Sequence, residues 1–240
     1  MTMKNTRNLI LALVIAAVVV LTIILVGAAA QKDRLNAAGP VPNPSATASS
    51  EGQAAQEFTL ERRIDADPMA LGAVDAPAVM IEYSDYRCPF CGVYARKTQP
   101  EIIKKYVDSG KLRIEWRDFP VLGEASATAA VAARAAGEQG LFWEFNDAVY
   151  AAAPERGKAD LSEKELMAFA KNVGVPDMTK FAADLKSPQL LALVKADLDE
   201  GTALGLNSTP TFVINNQSIP GAQPLEIFSQ VIDEALAQVK

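Results

Sequence analysis

Five short segments carry the apolar patterns that predict β-strands: Phe58 to Ile64, Ala78 to Tyr83, Lys111 to Trp116, Thr211 to Ile214 and Gln217 to Ile219. The first and third alternate apolar and polar side chains, whereas the second is an apolar run with one carboxylate inside it, which indicates a buried strand. Asn215-Asn216 separates the last two segments. Because asparagine tolerates the left-handed backbone of two-residue turns, these two segments are predicted to form a β-hairpin.

Apolar residues at helical spacing predict seven helices: Cys88 to Val107, Ala125 to Ala136, Leu141 to Ala152, Glu163 to Val173, Asp177 to Leu185, Pro188 to Leu204 and Leu225 to Val239. Pro100 predicts a kink or an early break in the first helix, and Ser162 is placed to cap the fourth. The order of strand, helix, strand, helical block, hairpin and helix favours an α/β domain. We expect a central sheet with helices on its faces and a helical subdomain inserted at about residues 123–205.

The N-terminal region contains a long segment without charged side chains, from Leu9 to Ala30, which follows a short tail of residues 1–8. As a helix this segment would span about 33 Å, enough to cross a bilayer core of about 30 Å. A cleavable signal peptide is the alternative, because Ala28-Ala29-Ala30 offers small residues at a cleavage point. The apolar regions of signal peptides usually have about 7–15 residues, so the favoured interpretation is a retained transmembrane anchor.

Residues 31–56 are rich in Ala, Ser, Thr, Gly and Pro and show no apolar periodicity. This composition predicts a disordered linker between the anchor and the rest of the chain. About 25 flexible residues have a root-mean-square reach of roughly 25–30 Å, so a domain at residues 57–240 would stay close to the membrane surface. The function is expected in that domain.

The composition of the chain excludes several classes of function. Its 240 residues carry a net charge of −6, which gives no basic surface for nucleic-acid binding. Histidine is absent, and this excludes Ser-His-Asp and Cys-His catalysis as well as histidine metal sites. The two cysteines, Cys88 and Cys91, lie three positions apart.

Cys88 and Cys91 are candidate catalytic residues because of where the predicted elements put them. Cys88 follows a buried strand and begins a helix, where unpaired backbone N–H groups and the helix dipole stabilise a thiolate. Cys91 lies one helical turn later, which makes Cys88 the exposed nucleophile and Cys91 the shielded resolving thiol. Three other interpretations stay open: a structural disulfide, half of a zinc site shared across a dimer, or a pair of inert buried thiols.

Two further positions favour redox chemistry. Glu82 lies inside the second predicted strand, and burial there would raise the pKa of its carboxyl group, which suits it to exchange a proton with Cys91. The alternative is a glutamate on an edge strand that points to solvent. Thr209-Pro210 opens a later strand. Its position alone favours a trans peptide bond, because only about 5–6% of X-Pro bonds in folded proteins are cis.

Three segments of the sequence resemble the DsbA-like branch of the thioredoxin superfamily: Glu82 to Gly92, Ser208 to Phe212 and Pro220 to Pro224. The resemblance extends from near Glu57 to the C terminus and implies a thioredoxin fold with a helical insertion. It also implies that Pro210 is a cis-proline facing the disulfide and that the backbone of Thr209 offers hydrogen bonds to a bound peptide. Glu82 falls at the family's buried-carboxylate position.

The residues between the cysteines depart from the best-known family members, which have Pro-His where this chain has Pro89-Phe90. The histidine of those members helps to hold the nucleophilic thiolate. We therefore expect a reduction potential between that of DsbA, about −120 mV, and that of thioredoxin, about −270 mV. Arg87 could replace part of the lost stabilisation, although a solvated arginine is the simpler interpretation. Phe90 is expected to face outward, where it could contact unfolded substrates.

The leading hypothesis is an enzyme on the extracytoplasmic side of the cell membrane, because disulfides persist outside the cytoplasm. It would donate the Cys88–Cys91 disulfide to thiol-containing secreted proteins through a mixed disulfide at Cys88. The resemblance implies re-oxidation by a quinone-linked membrane partner of the DsbB or vitamin-K-epoxide-reductase type. No cofactor, metal or nucleic acid is expected. The alternatives are a membrane-tethered reductase or isomerase, and a non-catalytic anchored binding or chaperone-like module.

Overall fold

The computed structural model describes residues 59–238, which contain five β-strands and eight α-helices. The predicted anchor at residues 9–30 and the predicted linker at residues 31–56 lie outside this range. Among the described residues, no helix combines the length and the apolar character that a membrane span requires.

The five described strands form one mixed sheet. They are β1 (Ala70–Leu71), β2 (Ala78–Ser84), β3 (Leu112–Asp118), β4 (Thr211–Ile214) and β5 (Gln217–Pro220). Their order across the sheet is β1-β3-β2-β4-β5. β2 pairs in parallel with β3 and antiparallel with β4, so it lies at the centre of the sheet, and every residue of β2 is buried. The run Ala78 to Tyr83 is therefore a buried strand, as its apolar pattern predicts.

The predicted hairpin near the C terminus is confirmed. β4 pairs antiparallel with β5, and Asn215 and Asn216 form the turn between them. Both asparagines have a positive φ, 49° and 65°, which is the backbone conformation that a two-residue turn of this kind requires. This hairpin fixes the position of β4, whose first residue follows Pro210.

The long helix predicted after β2 is divided in the structure. Its first part is α1 (Pro89–Lys97), which is followed by α2 (Gln99–Ile102) and a π-helical turn (Ile103–Val107). The division lies next to Pro100, because a proline cannot donate the backbone hydrogen bond that a continuous helix needs and its ring obstructs the preceding turn. The early break predicted from the sequence is therefore confirmed.

Five helices between β3 and β4 form the helical insertion: α3 (Glu124–Gly137), α4 (Phe142–Ala152), α5 (Glu163–Asn172), α6 (Met178–Asp184) and α7 (Pro188–Ala203). The chain then returns to the sheet and ends its described part in α8 (Leu225–Gln238). Ser162 caps α5, since its side chain accepts a hydrogen bond from the Glu165 backbone N–H at 3.4 Å. The predicted cap and the predicted insertion are both confirmed.

Buried charges join the insertion to the sheet. The Arg134 guanidinium on α3 donates to Asp118 on β3 at 2.6 Å and to Asp197 on α7 at 2.5 Å. Arg62, which precedes β1, donates to the other oxygen of Asp197 at 2.7 Å. Removing one member of such a network leaves an unpaired buried charge, so the network favours a single arrangement of these elements.

The strand predicted from Phe58 to Ile64 is wrong. Residues 59–64 form no strand, and the backbone N–H groups of Arg62 and Arg63 donate instead to the Glu115 carboxylate, at 2.9 and 2.8 Å. Arg63 also has a positive φ of 43°, which is incompatible with an extended ladder. The edge position beside β3 is occupied by the much shorter strand β1.

Candidate active site

The two cysteines lie at the N-terminal end of α1. Cys88 is the N-cap residue, Pro89 occupies the first turn, and the backbone N–H of Gly92 donates to the Cys88 carbonyl at 3.2 Å. Proline is favoured there because the first N–H groups of a helix have no intrahelical partner. This start directs Cys88 and Cys91 to the same end of the helix, one turn apart, and both are free thiols in the structure.

The two thiols differ in accessibility. Cys91 is completely buried, whereas Cys88 keeps 5% of its surface exposed. The expectation that Cys91 is the shielded member is confirmed, but Cys88 is far less open than an exposed nucleophile, because it packs against the residues before β4. Phe90, between them, is 63% exposed and faces outward as expected.

The Cys88 thiol is the more acidic of the two. A hydrogen bond from the Cys91 thiol is the largest cause that lowers the pKa of Cys88 to about 6, although burial opposes it. The side chain of Thr209 and the backbone N–H groups of Cys91 and Phe90 lower this pKa further. The negative charge is therefore stabilised by donors at the start of α1, as expected for a thiolate at a helix N terminus.

The Cys91 thiol behaves in the opposite way. Burial is the largest cause that raises the pKa of Cys91 well above its ordinary value, and its interaction with Cys88 raises it further. A negative charge shared by the two sulfurs therefore resides on Cys88. Cys88 is therefore the nucleophilic sulfur of the pair. Cys91 takes up a proton whenever the disulfide opens and releases it as a thiolate.

Thr209 and Pro210 lie directly beside Cys88. The Thr209–Pro210 peptide bond is cis, and the Cys88 Sγ donates a hydrogen bond to the Thr209 carbonyl at 3.2 Å. The trans bond expected from position alone is wrong, and the cis-proline implied by the family resemblance is confirmed.

Glu82 lies in the centre of the sheet beneath α1. It is 1% exposed and pairs with Trp116 on β3 and Phe212 on β4, so the alternative of an edge-strand glutamate in solvent is wrong. Its Oε1 accepts a hydrogen bond from the Ser84 hydroxyl at 2.7 Å. Burial is the largest cause that raises the pKa of Glu82 to about 8, so the carboxyl group is mostly protonated at neutral pH.

Arg87 contacts the loop after β3. Its guanidinium donates to the Leu122 carbonyl at 3.2 Å, and its backbone N–H donates to Asp85 at 2.8 Å. Arg87 is not among the five largest causes that shift the pKa of Cys88. The contacts of Arg87 therefore give no support to the idea that it replaces the family's histidine. The side chain is partly buried and keeps the rest of its surface in solvent.

Known proteins share this fold, as a family model and a solved structure show. A family model described as thioredoxin matches residues 65–234, which is most of the chain. The chain belongs to the DsbA-like branch of the thioredoxin family. In structure, this DsbA-like chain is similar to α-DsbA1 of Wolbachia pipientis, with 26% identity and a TM-score of 0.64, over 71% of this chain and 92% of the other.

Similar proteins with curated names include a disulfide bond formation protein and a Na(+)/H(+) antiporter. A probable disulfide bond formation protein D of Bacillus anthracis is 28% identical over 149 residues, which cover 61% of this chain and 69% of that protein. A Na(+)/H(+) antiporter, NhaA 3 of Salinispora tropica, is 29% identical over 191 residues. These residues cover 78% of the DsbA-like chain but only 28% of the antiporter, so the chain spans little more than a quarter of that relative.

Sequence analysis missed two residues that complete the site. Ser84 is the last residue of β2, Asp85 directly follows it, and both are buried. The Asp85 carboxylate accepts hydrogen bonds from the backbone N–H groups of Arg87 and Leu122, at 2.8 and 2.9 Å. It thereby holds the turn that leads to Cys88. The available signal was a pair of polar residues that directly follows the apolar run Ala78 to Tyr83 and precedes the first cysteine.

The low pKa of Cys88 predicts how the reduced DsbA-like protein reacts with iodoacetamide. Because the thiolate is the reactive species, the alkylation rate of Cys88 should rise with pH around a midpoint near 6 and change little above pH 7. Mass spectrometry of the modified protein would measure the rate. In Cys91→Ala the midpoint should move upward, since the Cys91 thiol supplies the largest stabilisation. A midpoint near the ordinary thiol value of about 8.5 would contradict the site geometry.

Proposed function

We propose that this protein is an extracytoplasmic thiol–disulfide oxidoreductase that donates the Cys88–Cys91 disulfide to folding secreted proteins. The observation that carries the proposal is the asymmetric pair of sulfurs at the start of α1, one acidic and slightly exposed and the other buried. Membership in the DsbA-like family supports the reaction type. The direction of the reaction is supported by the acidity of Cys88.

The acidity of Cys88 makes the reduced form more stable and the disulfide more oxidising. At pH 7 a thiol with a pKa of about 6 is mostly ionised. A thiol with the ordinary pKa of about 8.5 is almost entirely protonated at that pH. This difference favours the reduced protein by about tenfold, and a tenfold change in equilibrium corresponds to about 30 mV for a two-electron couple. The shift favours donation of a disulfide over reduction.

The reaction proceeds by two exchanges. A substrate thiolate attacks the Cys88 sulfur, forms a substrate–Cys88 disulfide and releases Cys91, which takes up a proton. A second substrate thiolate then attacks the substrate sulfur of this mixed disulfide and releases the Cys88 thiolate. The substrate leaves oxidised and the enzyme leaves as the dithiol, so electrons and sulfur bonds balance.

Thr209 and Pro210 provide the place where the substrate chain lies during this exchange. The Thr209 carbonyl is 3.2 Å from the Cys88 sulfur in the dithiol form. An extended peptide that replaces this contact brings its own sulfur to Cys88 and can form backbone hydrogen bonds with Thr209. Both residues act in substrate binding rather than in bond formation.

Repeated turnover requires re-oxidation of the dithiol. We assign this step to a quinone-linked membrane partner of the DsbB or vitamin-K-epoxide-reductase type, which would accept the two electrons. The apolar segment at residues 9–30 would keep the enzyme in the same membrane as that partner, and the segment at residues 31–56 would give it reach. The catalytic domain would lie on the extracytoplasmic side, where substrate disulfides persist.

The direct test is the oxidation of a reduced, unfolded protein by the full-length enzyme in its disulfide form. In mild detergent and without any other oxidant, one equivalent of enzyme should convert one pair of substrate thiols into a disulfide. Acid quenching followed by thiol labelling would count the thiols on both proteins. Substrate thiols that stay free while the enzyme keeps its disulfide would overturn the proposal. An enzyme that instead reduces substrate disulfides under the same conditions would favour the reductase alternative.

Phe90 is expected to bind unfolded substrate chains. Covering an aromatic ring that is 63% exposed should contribute about 1 kcal/mol, so Phe90→Ala should raise KM for an unfolded protein about fivefold. The rate at which the Phe90→Ala variant exchanges disulfides with glutathione should stay unchanged, because glutathione is too small to cover the ring. Ile227→Ala is the matched control, since Ile227 is an exposed apolar side chain on α8. Equal effects of Phe90→Ala on both substrates would argue against a binding role.

A further inference from the structure

Asp85 holds the backbone directly before Cys88 through both its main chain and its side chain. The Cys88 backbone N–H donates to the Asp85 carbonyl at 3.0 Å, and the Arg87 backbone N–H donates to the Asp85 Oδ1 at 2.8 Å. Aspartate commonly binds the backbone two residues on in this way, which closes a turn. The turn matters for the chemistry because Cys88 is the N-cap residue of α1, and within residues 59–238 no side-chain hydrogen bond caps this helix start.

The second oxygen of the same carboxylate binds the loop after β3. The Leu122 backbone N–H donates to the Asp85 Oδ2 at 2.9 Å, and the Leu122 carbonyl accepts a hydrogen bond from the Arg87 guanidinium at 3.2 Å. Both backbone groups of Leu122 therefore bind the turn before Cys88. The Leu122 side chain packs against the cluster of buried residues that includes Cys88 and Cys91. The carboxylate thus joins the turn to a loop that contacts the core around the two thiols.

An ionised carboxylate fits these contacts better than a neutral side chain of the same size. Asp85 is 1% exposed, and its two oxygens face two backbone N–H donors from different segments. A carboxylate accepts hydrogen bonds on both oxygens, whereas an amide would present its own N–H donors to one of these N–H groups. Burial is the largest cause that raises the pKa of Asp85, and the backbone hydrogen bonds from Arg87 and Leu122 oppose it. These two bonds therefore favour the charged form.

We propose that Asp85 is a positioning residue for thiol–disulfide exchange, which fixes the orientation of Cys88 by tying the turn before it to the loop after β3. The inference rests on the proposed function, because it gives Asp85 a part in the reactivity of Cys88. Asp85 transfers no proton and touches no substrate in this role. It acts through the backbone, since the start of α1 stabilises the Cys88 thiolate only while the turn keeps Cys88 in the N-cap position.

A purely electrostatic role for Asp85 predicts the opposite effect on Cys88. A nearby negative charge disfavours a thiolate, so removing the charge would lower the pKa of the Cys88 thiol. Loss of the positioning contacts weakens the support that the helix start gives to the thiolate, so it would raise this pKa. Asp85→Asn removes the charge and one of the two acceptors, while the size of the side chain hardly changes. The sign of the shift therefore separates the two roles.

The test is the pH dependence of Cys88 alkylation by iodoacetamide in the reduced full-length protein, compared between the wild type and Asp85→Asn. The midpoint should move upward by roughly 0.5–1 pH unit, which corresponds to the loss of one ordinary hydrogen bond from the support of the thiolate. Because the thiolate stabilises the reduced form, the equilibrium constant for oxidation of glutathione at pH 7 should fall roughly three- to fivefold. An unchanged or lower midpoint in the folded variant would overturn the positioning role.

Glu115→Gln is the matched control for the loss of a buried carboxylate. Glu115 is completely buried on β3, and its two oxygens also accept two backbone N–H groups, those of Arg62 and Arg63. Side chains alternate along a strand, so Glu115 faces away from its neighbour Trp116, which belongs to the cluster around the two cysteines. Glu115→Gln should lower Tm yet keep the alkylation midpoint within about 0.2 pH unit of the wild type. Equal shifts in both variants would indicate a general loss of stability and overturn the inference.

Amide hydrogen exchange of the unaltered protein keeps the inference testable even if Asp85→Asn fails to fold. The Arg87 and Leu122 N–H groups donate to a buried carboxylate, so they should exchange at least about 100-fold more slowly than the N–H of Gly123, which is exposed in the same loop. Fast exchange at either position would overturn the inference. The alkylation midpoint reports Cys88 alone, so the positioning role can hold even for a protein that acts only as a reductase. Such a protein would contradict the proposed direction of the reaction.

Discussion

Cys88→Ser is expected to abolish thiol–disulfide exchange, with the oxidation rate of a reduced protein falling to the uncatalysed background. A serine hydroxyl cannot form a disulfide, and Cys91 is completely buried, so an incoming thiolate cannot reach the remaining sulfur. The same thiol counting that measures substrate oxidation would measure this loss. Function that persists in Cys88→Ser would favour the non-catalytic binding or chaperone-like module.

Cys91→Ser is expected to give a different result. Its Cys88 thiolate can still attack the disulfide of a test peptide, release one peptide thiol and hold the other as a mixed disulfide. Without Cys91 this species is not resolved internally, so it should accumulate and appear as an added peptide mass. The control is Ser126→Ala, which changes a buried serine on α3, keeps both cysteines and should accumulate none. Equal trapping by Cys88→Ser would contradict the assignment of Cys88 as the attacking sulfur.

Glu82→Gln is expected to remove the loss of stability that the dithiol protein otherwise shows as pH rises. The pKa of Glu82 is raised from 4.5 in the unfolded chain to about 8 in the folded one, so between these pH values only the folded state keeps the proton. The free energy of unfolding therefore falls as pH rises from about 4.5 to about 8 and then levels off. At about 1.36 kcal/mol for each pKa unit, the loss amounts to several kcal/mol.

The glutamine variant removes this titration. It should therefore match the wild type near pH 4 and exceed its free energy of unfolding by several kcal/mol near pH 9, measured by urea denaturation. Glu234→Gln on α8 is the matched control, because Glu234 is exposed and should change stability by no more than about 0.5 kcal/mol at either pH. Parallel stability profiles for Glu82→Gln and the wild type would contradict a protonated, buried Glu82.

Much of the fold could be predicted from local patterns. The buried strand from Ala78 to Tyr83, the break next to Pro100 and the Asn215-Asn216 turn each depend on a backbone preference of a few neighbouring residues. Sequence periodicity reports such preferences directly. The strand before Cys88 and Cys91 also predicted that the two cysteines lie at the start of a helix. That position in turn predicted that one thiol is acidic and that the other is buried.

The failures share a different physical origin, which is contact between residues far apart in the sequence. The segment before Ile64 alternates like a strand, yet its backbone N–H groups bind the Glu115 carboxylate on β3. The partial burial of Arg87 depends on the Leu122 carbonyl in the loop after β3. Ser84 gave no signal of its own because a serine at the end of a strand is common, and only its hydrogen bond to the buried Glu82 carboxyl group distinguishes it.

The measurement that tests the central proposal most directly is the equilibrium reduction potential of the Cys88–Cys91 couple, from a glutathione redox titration of the full-length protein. The acidity of Cys88 lies between those of DsbA and thioredoxin, whose thiols have pKa values of about 3.5 and about 7. For a disulfide donor we predict a potential between about −120 mV and about −180 mV. A potential near that of thioredoxin, about −270 mV, would contradict disulfide donation and favour a reductase.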